Sequence, residues 1–180
     1  MAAQLSFAPD DARAIFAYNR AVFDRFVRRV RRLPGKEATR KRGIGHESLF
    51  GTLVHILNVH EVWLVYVVHG RTSDEELEPL FADPRRHPTT WKGFEQYATR
   101  VWSGVDTTLR GLTPRALARP VKVFWMPGRY TVRDAIFQTT LEEAHHLGEV
   151  IGALWQDDRR PPEMTWIDTR RTAARRSRRS

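Results

Sequence analysis

TVRDAIFQTTLEEAHHLGEVIGALWQ, residues 131–156, is the stretch from which the architecture can be read. Thr131-Val132-Arg133-Asp134 resembles a capping box with Asp in place of Glu. Ile136, Phe137, Thr140, Leu141, Ala144, Leu147, Ile151, Leu154 and Trp155 then recur at helical spacing. This predicts a long amphipathic helix ending near Gln156, with that arc turned to a core. Inside it, Glu142-Glu143-Ala144-His145-His146-Leu147-Gly148-Glu149 crowds three carboxylates and two imidazoles together. Glu142 and His146 stand one turn apart and point to nearly the same side. Two donors at that spacing can bind one metal ion. A third must come from another helix, and His55 is the best candidate. A solvated, charged helix face is the competing reading of the same residues.

Val132 and Val150 extend the apolar arc towards the pair, and a helical projection places His146 about 40° and Glu142 about 80° beyond that edge. Ala135 and Ala153 share that side, and Glu143 lies nearer the arc. The pair therefore suits the mouth of a bundle better than its centre. His145, Glu149, Glu143 and His60 are the supporting or alternative ligands.

Working outward, residues 9–33 read as a first helix with Ile15, Tyr18, Val22, Phe26, Val30 and Leu33 as its stripe. Arg25, Arg28, Arg29, Arg31 and Arg32 crowd its end, where cations favour the helix dipole; a solvated last turn is the favoured reading of them over a nucleic-acid patch, and Pro34-Gly35 stops the helix. A polar loop follows over Lys36 to Gly45. A second helix, from about Glu47 to His69, is apolar over more than half its circumference and belongs deep in the fold. Its His55 and His60 lie about 140° apart, so at most one of them serves a given site.

Residues 71–88 form an acidic, then proline-rich connection with room for a short helical turn. The third long helix runs from Thr89 or Thr90 to about Leu112, with Phe94, Tyr97, Ala98, Val101, Val105 and Leu109 inward. Residues 114–130 read as an extended segment or hairpin arm, because Val121, Val123 and Trp125 alternate between prolines. Met164 to Ile167 reads as a docked strap. The expected fold is all-α: a four-helix bundle with long crossover connections and a short extended segment before the last helix.

At 180 residues the chain suits one domain, residues 1–168, followed by an arginine-rich tail over 169–180 that is expected to be disordered. The tail carries six of the nine net positive charges, leaving +3 on the body. Nucleic acid is accordingly expected to meet the tail alone, if at all. Cysteine is absent. That excludes disulfides, thiolate ligands and cysteine nucleophiles, so a metal would rely on imidazole and carboxylate. No run approaches the ~20 apolar residues of a membrane span. Met1 to Phe7 lacks a basic segment followed by an apolar one, so a cytoplasmic protein is expected. Gly43-Ile44-Gly45 is too short for a phosphate loop, and no G-x-S-x-G elbow occurs.

Leu53-Val54-His55-Ile56-Leu57, with Glu61 and Trp63-Leu64, resembles the second-helix signature of the DinB-like metalloenzyme family. His146-Leu147-Gly148-Glu149 is similar to that family's terminal His-Arg-Gly-Gln segment, with Leu147 and Glu149 substituted. Tyr18-Asn19 and the stretch from Pro161-Pro162 to Trp166-Ile167 fit as well, so the likeness spans roughly residues 10–168. The resemblance implies a metal held by three histidines, one on the second helix and two spaced i, i+4 on the last. Carried over, His55 and His146 match, while Glu142 stands where the family has histidine. The set His55, Glu142 and His146 is therefore the expected metal site, holding zinc or nickel, with iron or manganese as further options. The resemblance also implies a metal-dependent transferase or hydrolase. Its substrate would be a small molecule, and its chemistry S-transfer from a low-molecular-weight thiol or hydrolysis. A homodimer is the expected assembly. The alternative is a non-enzymatic stress-response module whose basic tail touches nucleic acid or an acidic partner.

Overall fold

A computed structural model describes residues 7–43, 45–123 and 125–166. The expected tail over 169–180 and the start of the chain lie outside those residues. Among the described residues the fold is all-α apart from one small two-stranded sheet.

Helix α1, Pro9–Arg31, begins with Pro9 in its first turn, and the Asp11 carboxylate accepts the Ala8 N–H at 2.9 Å. It buries Ala12, Phe16, Asn19, Val22, Phe23, Phe26 and Val30. Helix α2, Leu49–His60, starts at Ser48, whose hydroxyl accepts the Gly51 N–H at 3.0 Å. Its axis continues through a π-helical segment, Glu61–Tyr66, and a 3-10 turn, Val67–His69. The single second helix of the sequence reading is thus three segments in series.

Leu49–His69 is long and apolar enough, by length and composition, to cross a membrane, which corrects the expectation that no such run exists. In this fold 83% of its most apolar window is buried, as in the core helix of a soluble protein.

The π segment turns Glu61 inward. Tyr97 donates to Glu61 at 3.0 Å, and Arg86 lies 3.3 Å from its other oxygen. Burial and the Glu61 charge hold the Tyr97 phenol far above its ordinary range. Thr108 donates its hydroxyl to the Leu64 carbonyl at 2.8 Å, satisfying a backbone group in the altered segment.

The connection at 71–88 holds more than the single turn expected. Helix α3 spans Asp74–Ala82, and a 3-10 turn follows at Pro84–Arg86. Ser73 and Glu76 close a capping box at its start, which explains nine helical residues in an acidic linker. Helix α4, Trp91–Arg110, buries the anticipated Phe94, Tyr97, Val101, Val105 and Leu109. A one-turn helix α5, Pro114–Leu117, precedes strand β1, Pro120–Val121, which pairs antiparallel with β2, Tyr130–Thr131. The expected hairpin arm is present, though short.

Helix α6, Val132–Gln156, carries the anticipated Thr131–Asp134 capping box. Its buried face is rotated from the apolar arc. Phe137, Leu141 and Trp155 are exposed, whereas Glu143 and His146 are buried beside Ala135 and Ala153. The small residues admit close neighbours on that side, and the polar groups face partners on other elements. Helix α6 packs most extensively on α2, and the two run antiparallel: His146 meets His55, and Glu143 meets His60 one layer deeper. Beyond α6, residues 157–166 return along α1. Arg29 donates to the Arg160 carbonyl, Arg25 to the Glu163 carbonyl, and Trp166 lies against Tyr18. This is the anticipated strap, as far as Trp166; Ile167 lies outside the described residues.

Candidate metal centre

Three imidazoles meet near the start of α2: His46, His55 and His146. One potential ligand nitrogen from each can be chosen so that all lie within 4.8 Å of one another. The His55 and His146 ring centres are 4.5 Å apart, and the His46 ring stacks on His55 at 3.5 Å. Neither ring nitrogen of His46 or His55 has a hydrogen-bond partner among the described residues.

Burial, with the other two imidazoles alongside, pushes His55 down to about 3. Burial also lowers His46; His146 adds to that effect and the Glu149 charge opposes it. Both rings are therefore neutral at pH 7, the state in which imidazole offers a lone pair to a cation. Partnerless, neutral, converging nitrogen donors are what a divalent first-row ion requires, so these residues fit the group that the donor chemistry suggests.

His146 is oriented from both sides. Its Nδ1 lies 2.8 Å from Glu149 Oε2, and its Nε2 lies 3.4 Å from Glu142 Oε2. A carboxylate only accepts, so His146 donates Nδ1–H to Glu149. Its Nε2 is left facing the Glu142 carboxylate, at the side where the other two imidazoles gather. The other Glu142 oxygen accepts from Gln138 at 2.7 Å. His55, Glu142 and His146 were the expected donors. The structure brings His55 and His146 together and sets Glu142 beside His146, outside the three-imidazole cluster. His145 is exposed, 3.6 Å from Glu149, and belongs with His146 and Glu149 to a second possible grouping.

His60 and Glu143 do not join the cluster. His60 donates Nδ1–H to the Ile56 carbonyl at 2.8 Å and sets Nε2 3.1 Å from Glu143 Oε2. The Glu143 contact is not an aligned hydrogen bond. His55 and His60 therefore serve different partners, as their angular separation on the helix predicted.

His46 is the member of the cluster that sequence reasoning missed. It lies in the loop before α2, and two glycines let it come close. A Cβ on Gly51 would meet the His46 carbonyl oxygen at 2.4 Å, and one on Gly45 would meet Glu149 Oε2 at 2.6 Å. Gly45 also has φ +50°, a left-handed conformation that glycine adopts without strain. The loop is tied down by Arg42, which is nearly fully buried and bonds Asp157 at 2.7 Å and the Glu37 carbonyl at 2.7 Å. The available signal was a histidine between Gly45 and the Ser48 cap, in a chain whose last helix is one imidazole short.

No curated protein matches this sequence significantly. A family model described as the DinB superfamily matches residues 18–150, from the middle of α1 through both His55 and His146. The match covers well over half of the chain, and the chain belongs to the DinB superfamily.

Proposed function

We propose that this protein is a metal-dependent enzyme acting on a small molecule, with His46, His55 and His146 holding a divalent ion at the mouth of a four-helix bundle. The observation that carries the reading is the meeting of three imidazoles from a loop, α2 and α6, two of them without a hydrogen-bond partner among the described residues. Zinc or nickel suits an imidazole set best; iron or manganese would draw more on Glu142. A bound ion of this kind lowers the pKa of a thiol or water so that it is nucleophilic near neutral pH.

The protein's own groups divide the remaining work. Glu149 fixes the His146 tautomer. Glu142, half-buried and anchored by Gln138, is placed to accept a proton from an incoming thiol or water. The substrate class is an electrophilic small molecule, with a low-molecular-weight thiol as the second reactant or water in its place. A reducing, cytoplasmic setting fits a chain without cysteine.

Metal analysis of the purified protein tests this. One equivalent of a divalent ion is expected, lost in His55→Ala and in His146→Ala and reduced in His46→Ala. Full metal content in all three variants overturns the assignment. Loss in His55→Ala and His146→Ala with none in His46→Ala hands the third position to Glu142.

A further inference from the structure

Away from the histidines, the last two turns of α1 and the strap enclose a shallow depression of about 450 Å³. Five arginines line it, Arg25, Arg28, Arg29, Arg32 and Arg160, with Glu163 as the one acid. Two of the five are held in place by peptide oxygens: Arg25 donates to the Glu163 carbonyl and Arg29 to the Arg160 carbonyl, each at 3.1 Å. A carbonyl orients a guanidinium without cancelling its charge. Arg160 alone reaches Glu163, at 2.9 Å. Arg28 and Arg32 are exposed and have no ion-pair or hydrogen-bond partner among the described residues. The neighbouring Arg31 points elsewhere and pairs with Glu95.

We infer that this face of α1 is a docking surface for the phosphodiester backbone of duplex nucleic acid. The residues at 25, 28, 29 and 32 form one helix face about 10 Å long. A duplex presents one phosphate charge per roughly 1.7 Å of axis, so a row of that length meets several phosphates at once. The depression is shallow and none of its guanidinium groups is enclosed, which suits a repeating polyanion better than a single small anion. Prolines 161 and 162 are its apolar lining, with no exposed aromatic or long aliphatic side chain among the arginines to enter a bilayer. Contacts of this type position a duplex without reading its sequence. The surface is separate from the three-histidine cluster and does not rest on the proposed chemistry there.

Fluorescence anisotropy with the full chain and a short DNA duplex of mixed sequence, followed from about 50 to 200 mM salt, tests the inference. Binding is expected to fall steeply with salt. Arg28→Gln/Arg32→Gln should flatten the log K against log salt slope by about two, because two phosphate contacts are removed. Both positions are exposed, and an unchanged melting curve checks that the fold is intact. The same change of slope should appear when residues 169–180 are deleted from both proteins, separating the helix face from the arginine-rich tail. Three results overturn the inference: no duplex binding by the full chain, binding whose slope the double variant leaves unchanged, or binding to anionic vesicles with none to the duplex.

Discussion

Two histidine–glutamate layers lie between α2 and α6, built from the same residue types and separated by little more than one helical turn. The inner layer, His60 with Glu143, is sealed between Phe16 and Trp102, with His60 Nε2 set 3.1 Å from Glu143 Oε2 but not aligned as a hydrogen bond. The outer layer, His55 with His146, His46, Glu142 and Glu149, reaches the surface and leaves imidazole nitrogens unanswered. Composition does not distinguish the layers; closure does. The inner pair is fully enclosed where α2 packs on α6. In the outer layer His46 is exposed and His55 partly so.

The inner layer should therefore break hardest. His60→Ala strips the partner from a buried carboxylate and opens a cavity against Phe16 and Trp102. Denaturant unfolding should show a loss of about 3–5 kcal/mol. Replacing both partners, His60→Leu with Glu143→Leu, should recover most of that loss, since an apolar pair leaves no buried charge. A single-variant cost below about 1 kcal/mol would place the pair with exposed ion pairs of little energetic weight and erase the contrast between the layers.

How far each layer could be read in advance follows the same division. Periodicity and caps placed α1, α4 and α6, because those helices bury stripes that recur every three or four residues. They failed on the rotation of α6. The apolar arc put Phe137, Leu141 and Trp155 inward, yet the structure exposes them and buries Glu143 and His146. A polar group can be buried when a partner on another element meets it, and sequence spacing along one helix carries no record of that partner. The π segment was invisible for a related reason. It is stabilised by Tyr97, Arg86 and Thr108, all distant in sequence. His55 and His146 were legible as paired donors on different helices. His46 was not, because a loop residue has no period, and its position depends on the close approaches that Gly45 and Gly51 permit.

That dependence gives a milder way to disturb the outer layer alone. Gly51→Ala places a methyl group against the His46 carbonyl, a backbone atom that cannot swing aside. The expected stability cost is about 1–3 kcal/mol, with a larger relative loss of divalent-ion affinity as His46 is pushed from His55. Calorimetric titration of the metal-free protein would check it. Undiminished affinity would show that His46 is dispensable to the cluster.

The smallest expected effect concerns protons. His55 sits at about 3 in the folded protein, against an ordinary value near 6.5 for an unfolded chain. Between those values the unfolded state binds the additional proton, so stability rises with pH across that window. The contribution is fully present above about pH 6.5 and is lost as pH falls toward 3. His46 is shifted in the same direction. Asp83, held down to about 2 by Arg85, and Asp157, held down by Arg42, favour the same sign, but only where carboxylates begin to protonate. The interval from about pH 5 to 6.5 therefore isolates the imidazoles. Metal-free protein should lose stability on acidification through that interval, and His55→Gln should flatten the slope, because the glutamine takes up no proton. A slope equally steep in His55→Gln would mean that the acid sensitivity originates elsewhere, and that the outer layer is as self-contained as the inner one.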